Sequence, residues 1–122
     1  MDLTKSELNI LEILLSEERP LSKSDILACA SKNRPWKDST IHIIINGLLE
    51  KGAIEEVGFV RTGKTYGRTF APTKEGREYF SALFLEMARH VNVNYVFSKL
   101  ITENAFSKEE LDDLEKLIQR YK

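Results

Sequence analysis

The chain alternates between apolar runs at helical spacing and short polar breaks, and the breaks carry the residues that start and stop helices. Leu8, Leu11, Ile13, Leu14 and Leu15 supply one side of a first helix, predicted from about Lys5 to Ser16. Thr4 and Glu7 have the spacing of a capping box, in which hydroxyl and carboxylate each satisfy an amide left unpaired at the helix start. Arg19-Pro20 ends that helix, because proline disfavours a helical residue before it, and Leu21 then has room only for a very short strand. Ser22 and Asp25 repeat the capping pattern and open a shorter helix, predicted from about Lys23 to Ser31, with Ile26, Leu27 and Ala30 facing inward.

After a break at Lys32 to Pro35, the segment Arg34 to Gly52 has one aliphatic face and one face of small and polar groups. Ile41, Ile44, Ile45, Leu48 and Leu49 form the anchoring stripe, and Ser39, Thr40, His42, Ile43, Asn46 and Gly47 fall largely outside it. Asp38 or Ser39 is the expected cap, Trp36 is large enough to hold the start of the helix against a core, and Gly52 sits where a left-handed cap ends it.

Beyond Gly52 the period changes. Ala53 to Arg61 and Tyr66 to Ala71 read as strands joined at Thr62-Gly63-Lys64-Thr65, a β-hairpin with a basic tip. Pro72 ends the second strand and Thr73 can cap a long helix carrying Tyr79, Phe80, Leu83, Phe84, Met87 and Val91; Gly76 in its first turn reads as a mild cost. A break at Asn92 to Asn94 precedes a short helix with Tyr95, Val96, Phe97, Leu100 and Ile101. Ser107 and Glu110 form a third capping box before a last helix with Leu111, Leu114, Leu117 and Ile118 near a heptad rhythm.

Three short helices followed by a hairpin make a winged helix, the helix-turn-helix variant whose last helix enters the DNA major groove. The expected fold is therefore mainly α with a small β-hairpin: a winged helix-turn-helix domain over 1–76 and a C-terminal helical dimerisation region over 77–122. The second region has too many large apolar residues for a solvated tail and too few residues for its own core. Pairing with a second copy solves that problem, through Tyr79, Phe80, Leu83, Phe84, Met87, Tyr95, Phe97, Leu100, Leu111, Leu114, Leu117 and Ile118. The aromatic ridge could alternatively be monomer core or line a ligand pocket.

Composition and charge narrow the chemistry. At 122 residues, 42% hydrophobic and 30% charged, a folded chain is expected that holds one compact domain or a smaller domain plus an appendage, but hardly two independent cores. Eighteen basic against nineteen acidic residues give a net charge of -1, which argues against a wholesale polyanion binder and directs attention to local charge. Arg61, Lys64, Arg68 and Lys74 follow one another from Gly58 onward with no acidic residue, and Lys32, Arg34 and Lys37 precede the third helix. That helix has no Lys or Arg between Asp38 and Glu50, so phosphate attraction must come from Arg34, Lys37, Lys51 and the hairpin. On its face Thr40 and Ile43 can meet thymine methyls, Asn46 can pair with adenine, and His42 can donate to an acceptor edge or a phosphate, with Ser39 beside them.

Cys29, the single cysteine, allows no intrachain disulfide and reads as a buried thiol in a reducing compartment. No run approaches the roughly 18 apolar residues that span a bilayer, and the first ten residues lack a basic region followed by an apolar core, so no membrane insertion and a cytoplasmic location are expected. His42, His90 and Cys29 are too scattered for a metal site, and no phosphate loop, nucleophile elbow or His/carboxylate arrangement suggests an enzyme or a cofactor. A winged helix serving as a protein-interaction module, or a ligand-sensing regulator with weak DNA binding, are the alternatives to a DNA-binding repressor.

The run Trp36, Ser39, Thr40, Ile41, Leu48, Lys51, Gly52 resembles the signature W-x-x-S-T-V-x-T-x-x-x-R-L-x-x-K-G of the BlaI/MecI/CopY penicillinase-repressor family. The N-terminal LTKSELNILEILL and the C-terminal FSKEELDDLEKLI also look like that family's ends. The resemblance implies a homodimeric bacterial repressor with a winged helix, a C-terminal dimerisation region and operators built around TACA and TGTA half-sites. Two positions depart from the signature: its Thr after the Thr-Val pair is Ile43, and its arginine is Gly47. The resemblance alone implies a membrane sensor protease as a further partner, which cuts such repressors at an Asn-Phe bond; here the corresponding bond is Lys99-Leu100. The paired Cys-x-Cys motifs of copper-responsive members are absent.

Overall fold

The structure, a computed structural model, describes residues 1–121, except the side chains of Thr62 and Thr65. Its elements follow the expected order: α1 (Lys5–Glu17), α2 (Lys23–Cys29), a 3-10 turn (Asp38–Thr40), α3 (Ile41–Glu50), β1 (Ile54–Thr62), β2 (Thr65–Pro72), α4 (Lys74–Arg89), α5 (Val93–Thr102) and α6 (Lys108–Arg120). Contacts divide the chain into two units, Met1–Leu83 and Phe84–Lys122.

In the first unit, α1 and α2 both open with the capping boxes foreseen: Glu7 N donates to Thr4 Oγ1 at 3.2 Å and Asp25 N to Ser22 Oγ at 3.2 Å, with each carboxylate returning to its cap amide. Each such cap contributes about 1 kcal/mol. The helices bury Ile10, Leu11, Leu14 and Ile26 against Ile41, Ile45 and Leu48 of α3, and Trp36, Leu21, Ala53, Ile54 and Phe70 complete the core. Truncating Ile45 to alanine there costs roughly 2–5 kcal/mol, much of a small domain's stability.

The hairpin is antiparallel, with a register shift between Glu56 and Gly58 that leaves Val57 as a bulge. Leu21 adds a one-residue bridge to Phe70 through hydrogen bonds of 3.0 and 2.8 Å, the very short strand expected. At the end of α3, Gly52 adopts φ 77, while Ala53 N donates to Leu48 O and Gly52 N to Leu49 O, the pattern of a Schellman cap.

Four expectations change. The second helix ends at Cys29, not Ser31, because Ala30 turns to extended backbone. Cys29 is exposed, not buried: it lies on the last turn of α2, where Sγ donates to Glu17 Oε1 at 2.8 Å, and that bond holds the thiol pKa above its usual value. Neither Asp38 nor Ser39 caps α3 through its side chain; the chain enters by a 3-10 turn, and Asp38 pairs with Arg34 instead. Gly76 is not merely a cost, since it is buried and a Cβ there would run into the carbonyl oxygen of Ala53. Thr73 completes this junction, donating to Gly52 O at 2.6 Å and accepting from Gly76 N at 3.0 Å.

In the second unit, Asn92 caps α5 by accepting from Tyr95 N at 3.1 Å, and Ser107 with Glu110 forms the third capping box at the start of α6. Local hydrogen bonding thus accounts for the helices, but none of the described residues from Phe84 onward is buried.

Candidate nucleic-acid interface

The outward face of α3 exists because the opposite face is committed to the core. Ile41, Ile45 and Leu48 are buried and Ile44 and Leu49 half-buried, so helical geometry turns Ser39, His42, Ile43 and Asn46 to solvent. Ile43 is 62% exposed, an aliphatic side chain that lies outside the buried stripe. Thr40 is half-buried and donates its hydroxyl to Lys37 O at 2.8 Å, so its donor proton is used within the turn.

Trp36 is buried, with Nε1 donating to Asn9 Oδ1 at 2.8 Å, and it ties the segment before α3 to α1. Arg34 braces the same segment: Nε donates to Trp36 O at 3.1 Å, its guanidinium stacks 4.4 Å from the indole centroid, and it pairs with Asp38. Its side chain is 17% exposed, so its cation serves the turn, whereas Lys37 stays exposed.

Lys51, expected at the edge of this surface, stays exposed but is held in an ion pair with Glu7. Its Nζ lies 2.6 Å from Glu7 Oε1, and the Glu7 side chain is only 7% exposed. Burial alone would raise the Glu7 carboxyl, but hydrogen bonds from Lys51 and Thr4 outweigh it and hold its pKa below the usual carboxylate value.

On the hairpin, Phe59 faces Arg68 and Arg61 faces Tyr66 across the strands, so these four side chains share one face. Phe59 and Tyr66 are 68% and 70% exposed. Arg61 is exposed with Nε donating to Gly63 O, and Lys64 is exposed at the turn. Arg68 is more constrained, since it pairs with Glu56 at 3.3 Å and stacks over Phe70.

The sequence pattern pointed to Arg61 and Lys64 and not to the exposed rings of Phe59 and Tyr66, although aromatic and basic residues alternate in VGFVRTGKTYGR. It also took Glu7 only as a capping residue.

Along α4, Tyr79 and Phe80, grouped above with the dimerisation ridge, are engaged inside the first unit: Tyr79 Oη accepts from Leu3 N at 3.2 Å, and Phe80 packs against the core. Leu83 is exposed at the end of that unit. In the second unit Phe84, Met87, Tyr95, Phe97, Leu117 and Ile118 are exposed and Leu100, Leu111 and Leu114 half-buried, and α5 with the end of α4 encloses an apolar pocket of about 200 Å³. Among the described residues, no group of three His, Cys, Asp or Glu side chains is placed to hold a metal ion, and no helix is long and apolar enough to cross a membrane.

Three helices around one core, a hairpin wing behind them and an uncharged outward face on the third helix define a winged-helix transcription regulator. The same fold recurs in solved structures. The adhesin competence repressor AdcR of Streptococcus pyogenes has a TM-score of 0.54 and 16% identity, over 98% of this chain and 78% of that one. A PadR family transcription regulator of Clostridium difficile R20291 has a TM-score of 0.56 and 14% identity, over 80% and 99%. A mutant of S. aureus MepR bound to an oligodeoxyribonucleotide has a TM-score of 0.52 and 17% identity, over 97% and 76%. No curated protein matches the chain by sequence. Within this class the chain belongs to the penicillinase repressor family, whose sequence model matches residues 3–120.

Proposed function

We propose that the chain is a homodimeric transcriptional repressor that binds a pseudo-palindromic operator, each protomer setting α3 into one major groove and its wing against the backbone. The observation that carries this reading is the exposed, uncharged face of α3, with Ser39, His42, Ile43 and Asn46 presented over a fully buried ridge. Such a face reads bases through hydrogen bonds and methyl contacts, and attraction to phosphate comes from its flanks.

Lys37 lies beside the start of α3, and Arg61 and Lys64 lie on the wing. The exposed rings of Phe59 and Tyr66 add apolar contact with deoxyribose or the minor-groove wall. The second unit supports a homodimer: a peptide chain with large exposed apolar side chains and none buried gains stability by covering them against a second copy.

Fluorescence anisotropy on a duplex carrying TACA and TGTA half-sites, against a scrambled duplex, tests the reading. A preference of about 10³ or more at physiological salt is expected. Equal affinity for both duplexes would remove the specific repressor and leave a protein-interaction module as the better account.

A further inference from the structure

Glycine is a poor helix former, so an interior glycine on a helix that must hold its shape asks for a physical reason. At Gly47 the reason is Glu7: a Cβ built at position 47 would collide with Glu7 Oε2. The other carboxylate oxygen accepts from Thr4 N at 2.8 Å and from Lys51 Nζ at 2.6 Å. A carboxylate this secluded needs its cation, because an unpaired charge at a buried position is strongly unfavourable. Lys51 is the C-cap of α3, a site from which a free ammonium would extend the positive charge available to a nucleic acid.

We propose that Glu7 is a positioning residue for DNA recognition: its carboxylate fills the space beside Gly47 and ties up the Lys51 ammonium in an ion pair, so that it is not free to meet a phosphate. This rests on the DNA-binding reading of α3. The consequence is a recognition helix whose own residues carry no free cation, so attraction common to all sequences is reduced while base contacts are kept. Discrimination between operator and bulk DNA rises accordingly, since non-specific affinity is set by the number of phosphates neutralised. Glu7→Gln is the informative variant, because glutamine keeps the capping oxygen and removes the charge that holds Lys51.

Anisotropy titrations of a scrambled duplex between about 50 and about 200 mM salt compare the full chain with Glu7→Gln. Release of one ammonium to a phosphate steepens the slope of log Kobs against log salt by about 0.9. That steepening is expected in Glu7→Gln, together with a smaller operator-to-scrambled ratio, and a residue with a structural role alone would leave the slope unchanged. An unchanged slope overturns the proposal.

A measurement without DNA tests the steric half. Gly47→Ala should lower the melting temperature in the natural chain and lower it much less in a Glu7→Ala background; equal losses in both overturn the link between Glu7 and Gly47. A chain that binds no duplex refutes the DNA reading itself, and the melting comparison then decides on Glu7 separately.

Discussion

Glu7 Oε1 and Lys51 Nζ lie 2.6 Å apart, joining the first turn of α1 to the C-cap residue of α3. Folding lowers the Glu7 pKa, so near its titration the unfolded chain binds more protons than the folded one. The stabilisation is complete above the usual carboxylate pKa and is lost as pH falls through the lowered value. Urea denaturation across that range should show the natural chain losing stability more steeply below about pH 5 than Glu7→Gln does. Equal acid slopes in the two proteins would show that the pair adds nothing to stability.

The wing offers two kinds of contact that salt separates. Arg61→Ala or Lys64→Ala should weaken binding to every sequence alike and flatten the salt dependence by about one unit per lost phosphate contact. Tyr66→Ala should weaken binding with the slope kept, because an aromatic ring releases no counterions. Titrations at four or more salt concentrations distinguish the two patterns, and a flattened slope in Tyr66→Ala would assign the ring to positioning a cation.

The second unit presents an exposed apolar face, with Phe97 on α5 and Leu117 on α6 both open to solvent. Size-exclusion chromatography with light scattering should give a dimer at micromolar concentration, and Phe97→Glu should shift it towards monomer because the new charge would be desolvated in the interface. A natural chain that is strictly monomeric at that concentration would undermine the two-half-site mechanism.

Local rules made much of this fold legible. The capping pairs Thr4 and Glu7, Ser22 and Asp25, and Ser107 and Glu110 lie three residues apart, so their geometry is set before any tertiary contact forms. Gly52 and the stripe Ile41, Ile45 and Leu48 are equally local, which is why the end and the buried face of α3 were readable.

Whatever depended on which partner a side chain or backbone group would find, near or distant, was hidden. Asp38 has the chemistry of a cap, but Arg34 takes its carboxylate, and side-chain competition of that kind has no sequence period. The value of glycine at position 76 depends on the backbone of Ala53, and the pairing of Lys51 depends on a carboxylate 44 residues earlier. Cys29 was misread because α2 is too short for an apolar pattern to decide which side of its last turn is covered.

In the proposed function the outward face of α3 reads bases while the wing holds the backbone. Asn46 on that face is the side chain best suited to a bidentate contact with adenine, worth about 1–3 kcal/mol of discrimination. The most direct measurement is the binding of the natural chain and Asn46→Ala to a set of operators in which each base pair is varied in turn. Loss of preference at one A·T pair in each half-site, with the others retained, is the predicted result. A specificity profile unchanged at every position, or weakened uniformly as for Arg61→Ala, would contradict the assignment of this face to base reading.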